Sequence, residues 1–448
     1  MSISPWVQGA YEPVLNEIEA YNLEVEGSIP PDLNGILARI GPNPIGEVPP
    51  DHNLFNGEGM VHTLALKDGR AQTYRNRWVR TEPVARKLGE HTDLDPIENT
   101  DVANTHIFPF AGSLYALTET AIPYKVTENL ETIGRDDFSG FIDTGFSAHP
   151  HVDPKTGEMH AIGYDNNADP SVTHYVIGPD GTPLRKNRIA LGSPIMIHDF
   201  AATETFAIIW DLPLLFDVEA AKEGSKAPYK WTPGYEAKVG LRRLDADDAS
   251  VRWFDAPEAF IFHAVNAWEE RNEGGSIAKV HCDVIRRDSM FASDSTGPGD
   301  MAIPQLYRWT MDLETGTMTE ELIDPRAQEF GRIDDRYWGR KNGFSVTTEL
   351  FRFTGETGII VYDGNGQTQE WGFGKGAATS EAVFVPHDEN AGEGEGYILA
   401  TATDVAKRTA KAAIFDAQNV KKGPLAEIKL PQRLPVTFHG SWIPEATA

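Results

Sequence analysis

The sequence predicts an all-β protein, because short strand patterns joined by tight turns recur along most of its 448 residues. Residues 64–78 show the pattern, since two alternating runs flank Asp68 and Gly69, a dipeptide that favours a hairpin turn. Similar units follow around Gly316 and Gly364. Regular hairpins over this length, with little helical periodicity, are typical of a sandwich, a barrel or a propeller.

The same strand patterns argue for one domain. Residues 217–235 and 286–300 are rich in loop-forming residues, and strand patterns of the same kind resume on both sides of each. We therefore predict a single domain over residues 1–448. No strict repeat is visible, so a blade number does not follow from periodicity.

Composition excludes several classes of partner. The formal net charge of −27 argues against binding to nucleic acid or to an anionic membrane surface, and indicates a solubilising acidic surface. The single cysteine, Cys282, leaves no intramolecular disulfide. We see no signal peptide and no run of about 18 apolar residues. The expectation is a cytoplasmic protein without stable membrane insertion, and its oligomeric state is left open.

Four of the 13 histidines lie in distinctive short strings. The strings are Ser-Ala-His-Pro at His149, Ile-His-Asp-Phe at His198, Phe-His-Ala-Val at His263 and Phe-His-Gly-Ser at His439. Imidazole suits iron, copper, zinc and nickel. Four neutral imidazoles leave a divalent metal with its full charge and with open positions for a small molecule such as dioxygen. A redox iron enzyme is the leading interpretation.

The spacing of these histidines favours a propeller. Successive intervals of 49, 65 and 176 residues differ from the i, i+4 spacing of a helical metal site. Ligands this far apart can meet where strands converge on a common axis, as they do in a propeller. At the first position the choice stays open, because His151 would share a strand face with His149.

Three glutamates are candidates to orient metal-bound histidines. A ligating histidine usually donates its second ring N–H to a carboxylate or a carbonyl. Among the 67 acidic residues, Glu119, Glu329 and Glu381 differ in being flanked by apolar residues.

Several further strings, in this order along nearly the whole chain, resemble the carotenoid cleavage oxygenase family. They are Ile-Pro-Pro-Asp-Leu-Asn-Gly at 29–35, Gly-Pro-Asn-Pro at 41–44, Phe-Asn-Gly-Glu-Gly-Met-Val-His at 55–62, Asn-Arg-Trp-Val-Arg-Thr at 76–81, Leu-Pro-Gln-Arg at 430–433 and Phe-His-Gly-Ser-Trp at 438–442. The resemblance implies a seven-bladed β-propeller with Fe(II) on the central axis and loops forming a cap over the active site.

The resemblance also implies the roles of individual residues. It assigns one Fe²⁺ per chain to four ligands, which are His149, His198, His263 and His439, and so favours His149 over His151. It assigns the supporting carboxylates to Glu119, Glu329 and Glu381. It places Thr105 near the open iron coordination position, where its methyl group would crowd that position.

The implied reaction is cleavage of a conjugated carbon–carbon double bond with O₂ as co-substrate, giving two carbonyl products. Stilbene-cleaving members typically carry a lysine before the first glutamate and a tyrosine upstream, whereas this chain has Thr118 and no tyrosine in residues 88–94. Residues 218–226 are polar and lack a membrane-docking face. We therefore predict a dioxygenase acting on a small apolar conjugated substrate, an apocarotenoid or carotenoid. The alternatives are a stilbene or phenylpropenoid substrate, of the lignostilbene or isoeugenol type, and a non-catalytic ligand-binding propeller.

Overall fold

β-strands make up nearly all regular structure in the computed structural model of the protein. The structure describes residues 4–50, 52–97, 101–165, 170–225, 228–246, 250–291, 302–350 and 356–445. Parts of the loops predicted at 217–235 and 286–300 lie outside these residues.

The strands are short and follow one another at close intervals, as their turn-bounded patterns predict. In chain order they are β1 (Glu19–Tyr21), β2 (Val25–Gly27), β3 (Gly35–Pro42), β4 (Gly59–Lys67), β5 (Arg70–Trp78), β6 (His106–Phe110), β7 (Ser113–Leu117), β8 (Tyr124–Val126), β9 (Thr132–Arg135), β10 (His151–Val152), β11 (Met159–Gly163), β12 (Ser171–Ile177), β13 (Pro183–Ala190), β14 (Ala201–Ala202), β15 (Phe206–Asp211), β16 (Leu214–Phe216), β17 (Tyr229–Trp231), β18 (Lys238–Arg243), β19 (Arg252–Asp255), β20 (Phe260–Arg271), β21 (Ile277–Arg287), β22 (Gln305–Asp312), β23 (Thr317–Asp324), β24 (Gln328–Ile333), β25 (Phe344–Glu349), β26 (Gly358–Asp363), β27 (Thr368–Gly372), β28 (Ala377–Thr379), β29 (Val383–Pro386), β30 (Gly396–Asp404), β31 (Thr409–Asp416), β32 (Ala426–Lys429) and β33 (Gly440–Pro444).

Helices are few and short. The first, α1 (Glu82–Leu88), begins at Thr81, whose hydroxyl accepts a hydrogen bond from the Val84 N–H, and ends at Gly89 with φ of 72°. The second, α2 (Val218–Lys222), lies in the stretch predicted to be a loop. Single turns of 3₁₀ helix occupy Pro5–Val7, Gly9–Tyr11, Asp335–Tyr337 and Val420–Lys422. Among the described residues, none of the helices has the length and apolar character needed to cross a membrane.

The described strands form seven sheets of four to six strands and one further two-stranded hairpin. Strands that follow one another in the chain pair antiparallel within most of these sheets, which is the pattern of propeller blades. The protein is an all-β, seven-bladed β-propeller, the fold class that the sequence predicts.

Internal contacts group the chain into two units, and the first comprises Met1–Gly140 and Gly343–Ala448. In this unit the last strand, β33, pairs antiparallel with β3, so that Arg39 lies opposite Gly440. The end of the chain thereby completes the sheet that its beginning starts, and this pairing fixes the position of His439 immediately before β33. The apolar core beneath includes Leu37, Leu64, Tyr74, Leu399 and Ile428.

The second unit is Phe141–Asn342. Its longest strands, β20 and β21, form a hairpin whose register shifts between Ile261 and His263 and again between Ala264 and Asn266. Such bulges re-aim a side chain relative to the regular strand alternation. They therefore set the direction of His263.

The prediction of a single domain over residues 1–448 stays a prediction.

Candidate metal centre

The first pair of candidate ligands consists of His149 and His198, both buried. Their Nε2 atoms lie 2.9 Å apart and their ring centroids 4.6 Å apart. His149 lies just before β10, where the Ser147 hydroxyl accepts a hydrogen bond of 2.9 Å from its backbone N–H. Two facing Nε2 atoms at this distance can share one cation.

His263 completes a cluster of three rings. Its centroid is 4.9 Å from that of His149 and 5.3 Å from that of His198. Its Nδ1 lies 2.6 Å from Oε2 of the buried Glu329. Oε1 of the same carboxylate accepts a hydrogen bond of 2.9 Å from Nη2 of Arg287. The His263 ring is therefore held through Nδ1, which leaves Nε2 to face the cluster.

The charge of Glu329 follows from its neighbours. Burial alone would raise its pKa, but His263 and Arg287 beside it outweigh burial and lower the pKa to about 2. Glu329 is therefore a carboxylate that accepts the Nδ1 proton of His263.

Backbone strain accompanies this carboxylate. Phe330 has φ of 58°, in the left-handed region that a bulky residue rarely adopts. Its backbone N–H donates to Oε2 of Glu329 over 3.1 Å, and its ring lies 5.5 Å from that of His263. Strain of this kind persists where the surroundings enforce it, often at functional sites.

His439 has an equivalent carboxylate partner. Its Nδ1 lies 2.9 Å from Oε1 of Glu381, and the backbone N–H of Gly440 donates to Oε2 over 2.9 Å. The His439 backbone N–H donates to the carbonyl oxygen of Thr105 over 3.1 Å. The ring and the backbone of His439 are thus both fixed by hydrogen bonds, and its carboxylate partner is buried.

Sequence reasoning missed the arginine that fixes the backbone around Glu381 and His439. Arg39 is 1% exposed and donates to the Glu381 carbonyl over 2.6 Å, to the Thr437 hydroxyl over 2.8 Å and to the Phe438 carbonyl over 3.0 Å. A signal was present, because Arg39 interrupts an otherwise apolar strand pattern.

Among the described residues, one group of three or more histidine, cysteine or acidic side chains has the arrangement needed to hold a metal. It consists of His149, His198, His263 and His439, each buried and each offering one ligand atom, and these atoms all lie within 4.8 Å of one another. An all-nitrogen set of this size fits a first-row transition metal better than calcium or magnesium, which prefer oxygen ligands.

The remaining candidates fall in different places. His151 lies outside the group; its ring stacks on Trp338 at 5.2 Å. Thr105 is buried next to His439, and its hydroxyl donates to Oδ1 of Asn104 over 2.9 Å. Glu119 is half-buried two residues after the end of β7, and its role stays a prediction.

Comparison with known proteins identifies the family. The family model described as retinal pigment epithelial membrane protein, RPE65, matches residues 11–444. A carotenoid cleavage oxygenase of Mycobacterium tuberculosis is 34% identical, with 99% of this chain and 98% of the relative covered. The chain belongs to the carotenoid cleavage oxygenase family. It is accordingly an oxidoreductase of the dioxygenase type, which confirms the predicted enzyme class.

Two solved structures show the same fold. Lignostilbene dioxygenase of Pseudomonas brassicacearum superposes with a TM-score of 0.89 at 28% identity, covering 99% of this chain and all of the neighbour. Cobalt-substituted apocarotenoid oxygenase of Synechocystis superposes with a TM-score of 0.88 at 26% identity, covering 98% of each chain.

Proposed function

We propose that the protein is an Fe(II)- and O₂-dependent dioxygenase that cleaves a conjugated carbon–carbon double bond of an apocarotenoid or carotenoid into two carbonyl products. Cleavage of a carbon–carbon double bond is supported by the family as a whole. The observation that carries the proposal is the buried group of four histidine ligand atoms. We propose that one Fe²⁺ per chain binds there.

In this proposal the histidines hold the metal and the carboxylates hold the histidines. Glu329 and Glu381 each accept an Nδ1 proton, which leaves the Nε2 atoms of His263 and His439 available as ligands. We assign the same supporting role to Glu119. Bound iron would supply redox chemistry with dioxygen, because neutral imidazoles leave it electrophilic and incompletely coordinated.

We assign Thr105 a steric role beside the open coordination position. Its carbonyl oxygen is held by the His439 backbone and its hydroxyl by Asn104. With both polar groups engaged, the methyl group is what Thr105 can present to a small molecule. Restricting that position would limit the metal to one exchangeable ligand beside the substrate.

Thr118 supports the apocarotenoid branch over the phenolic one. Its hydroxyl accepts a hydrogen bond from the Asn104 backbone N–H over 2.7 Å. The same hydroxyl donates to the carbonyl oxygen of the preceding residue, Leu117, over 2.9 Å. A hydroxyl used in this way cannot replace the lysine cation that would stabilise a phenolate. The exposed segment around His91, which carries no tyrosine, supports the same conclusion.

The surface helix α2 supports a substrate that reaches the enzyme without deep membrane insertion. Asp217 caps the helix, Lys222 pairs with Glu219 over 2.7 Å, and none of its residues is buried. A stable interfacial anchor needs a broad apolar face, and five residues of this composition do not form one. We keep a cytoplasmic location as a prediction of this proposal.

A phenylpropenoid or stilbene substrate is the second candidate. The observation in its favour is the likeness to lignostilbene dioxygenase, whose TM-score of 0.89 matches the 0.88 of the apocarotenoid oxygenase. Fold similarity of this degree does not separate the two branches, because substrate choice depends on a few side chains.

Product analysis tests the proposal. Enzyme loaded with Fe²⁺ is incubated with an apocarotenal, with 4-hydroxystilbene and with isoeugenol, each with and without dioxygen, and the products are identified by mass spectrometry. We expect oxygen-dependent aldehydes from the apocarotenal and slower or no turnover of the two phenols. The His263→Ala variant serves as the metal-deficient control. Faster cleavage of either phenol would overturn the substrate assignment, and a wild-type chain that binds no iron would favour the non-catalytic propeller.

A further inference from the structure

Arg287 is a buried cation at the end of β21. Only 5% of its surface is exposed. Its Nη2 donates to Oε1 of Glu329 over 2.9 Å and its Nη1 to the Ala302 carbonyl over 2.9 Å. Its guanidinium carbon lies 5.4 Å from the ring centroid of Phe262, within cation–π range. The charge therefore faces one carboxylate and one aromatic ring.

The stability of the fold does not explain this arrangement. Within the described residues, the buried Nε of Arg287 has no hydrogen-bond partner, and an unsatisfied buried donor lowers stability. A buried ion pair is often no more stable than apolar side chains of similar volume. The position of the guanidinium instead points to Glu329, the carboxylate that also accepts the Nδ1 proton of His263.

The second supporting carboxylate has a different environment. The two oxygens of Glu381 contact His439 and the neutral backbone N–H of Gly440. The nearby Arg39 donates to the main-chain carbonyl of Glu381 rather than to its carboxylate. Glu329 therefore shares its charge with a buried cation through a direct hydrogen bond, and the carboxylate oxygens of Glu381 contact a histidine and a peptide group.

We propose that Arg287 is a positioning residue of the metal centre, which orients Glu329 and limits how much negative charge that carboxylate transfers to His263. A carboxylate on Nδ1 makes an imidazole a stronger electron donor to its metal. The guanidinium withdraws part of that charge, so His263 stays a neutral ligand and the divalent state of the metal is favoured. The inference rests on the proposed function, because it requires a metal at the histidine group.

The neighbouring arginine supplies a matched control. Arg286 is also buried, but it pairs bidentately with Glu320 over 2.9 and 2.8 Å, contacts Asp288 and stacks 4.3 Å from the ring centroid of Tyr307. None of these partners belongs to the histidine group, and none is Glu329 or Glu381. An Arg286→Gln change removes a similar ion pair one residue away from the charge under test.

The experiment compares Arg287→Gln and Arg286→Gln in the full chain. Cobalt(II) is the spectroscopic probe, and the midpoint potential of the iron-loaded protein is the second readout. For Arg287→Gln we expect a changed cobalt ligand-field spectrum, a more negative midpoint potential and metal affinity about 10-fold weaker. Arg286→Gln should leave the spectrum and the potential at wild-type values. An unchanged spectrum and potential in Arg287→Gln would overturn the inference.

A double-mutant cycle separates the charge effect from general damage. In a Glu329→Gln background the carboxylate is absent, so adding Arg287→Gln should shift the midpoint potential no further. An equal shift of the midpoint potential in both backgrounds would show that Arg287 does not act through Glu329.

If Arg287→Gln does not fold, Arg287→Lys replaces it. This variant keeps the charge, so its midpoint potential should stay closer to wild type than that of Glu329→Gln. A larger shift in Arg287→Lys would overturn the inference.

The outcome for the metal centre itself is read from the wild-type chain. Wild-type protein that binds no cobalt or iron would refute the proposed function. Wild-type protein that binds metal, with an Arg287→Gln variant spectroscopically identical to it, would refute only the role of Arg287.

Discussion

At the scale of a single residue, His149 and His151 show that the direction of a side chain depends on the local backbone. Residues two apart share a face in a regular strand. Here, however, β10 begins at His151, and His149 precedes it in irregular backbone that Ser147 fixes. The two rings consequently have different surroundings, since His149 faces His198 while His151 stacks on Trp338.

We predict opposite outcomes for alanine at two histidines. His263→Ala should lose metal and activity, because it removes one of the four ligand atoms. His151→Ala should keep both, because its ring lies outside that group. Elemental analysis of the two purified variants measures metal per chain. Metal loss in His151→Ala, with retention in His263→Ala, would reverse our assignment.

At the scale of elements, the pairing of β33 with β3 carries His439 to its position. The pairing places Gly440 opposite Arg39, and a side chain at Gly440 would overlap the Ala38 carbonyl and lie 3.0 Å from Cγ of Arg39. The absence of a side chain lets the two strands approach closely enough for the Gly440 N–H to reach Glu381. The strand pairing and the supporting carboxylate of His439 therefore depend on the same residue.

We predict that Gly440→Ala destabilises the fold by about 1–3 kcal/mol, the usual result of overpacking, and weakens metal binding. Denaturant unfolding and metal titration measure the two effects. Gly372, at the end of β27, is the matched control, because an added Cβ there meets nothing within 4 Å. A Gly440→Ala protein as stable and as metal-replete as Gly372→Ala would contradict the argument.

At the scale of the whole molecule, buried histidines outside the metal group link stability to pH. Burial lowers the pKa of His62 to about 3 and that of His160 to about 4, and it lowers the pKa of His174 well below its usual range. His160 and His174 lie 3.2 Å apart between Nδ1 and Nε2, so protonating either would place a charge in the core. The folded protein keeps these side chains neutral.

The sign of the pH dependence follows from these pKa values. The folded-state values lie below the usual 6.5, so the unfolded chain takes up protons first as the pH falls. The stabilisation is complete above about pH 6.5 and is lost progressively down to about pH 4 for His160 and about pH 3 for His62, by up to about 1.4 kcal/mol per pH unit for each histidine. Denaturant unfolding between about pH 7 and pH 5 measures this slope.

His160→Gln should show a shallower slope than wild type over the same interval, because glutamine does not take up a proton in the unfolded chain. Replacing the exposed His91 by glutamine is the control. Equal slopes in wild type and His160→Gln would show that this histidine is not responsible for the acid sensitivity.

Much of the architecture could be predicted from local patterns. Turn signals such as Asp68-Gly69 predict hairpins because the turn and its flanking strands are formed by neighbouring residues. The stretch at 217–235 was predicted less well; it contains α2 and β17, since a short capped helix and a short strand leave weak periodicity. The division of the chain into two compact units was not predicted. The first unit combines residues 1–140 with residues 343–448, and local patterns carry no information about such a combination.

The sequence by itself determined the all-β class, the strings that identify the family and the four histidines that the structure brings together. These are properties of residue type and local order. Only the tertiary structure decided which carboxylate holds which histidine, that Arg287 donates to the carboxylate of Glu329 while Arg39 donates to the main-chain carbonyl of Glu381, and that Gly440 permits the strand approach. The reason is physical: a contact such as that of Arg39 with Glu381 joins residues 342 positions apart, and only the folded backbone brings them within hydrogen-bonding distance.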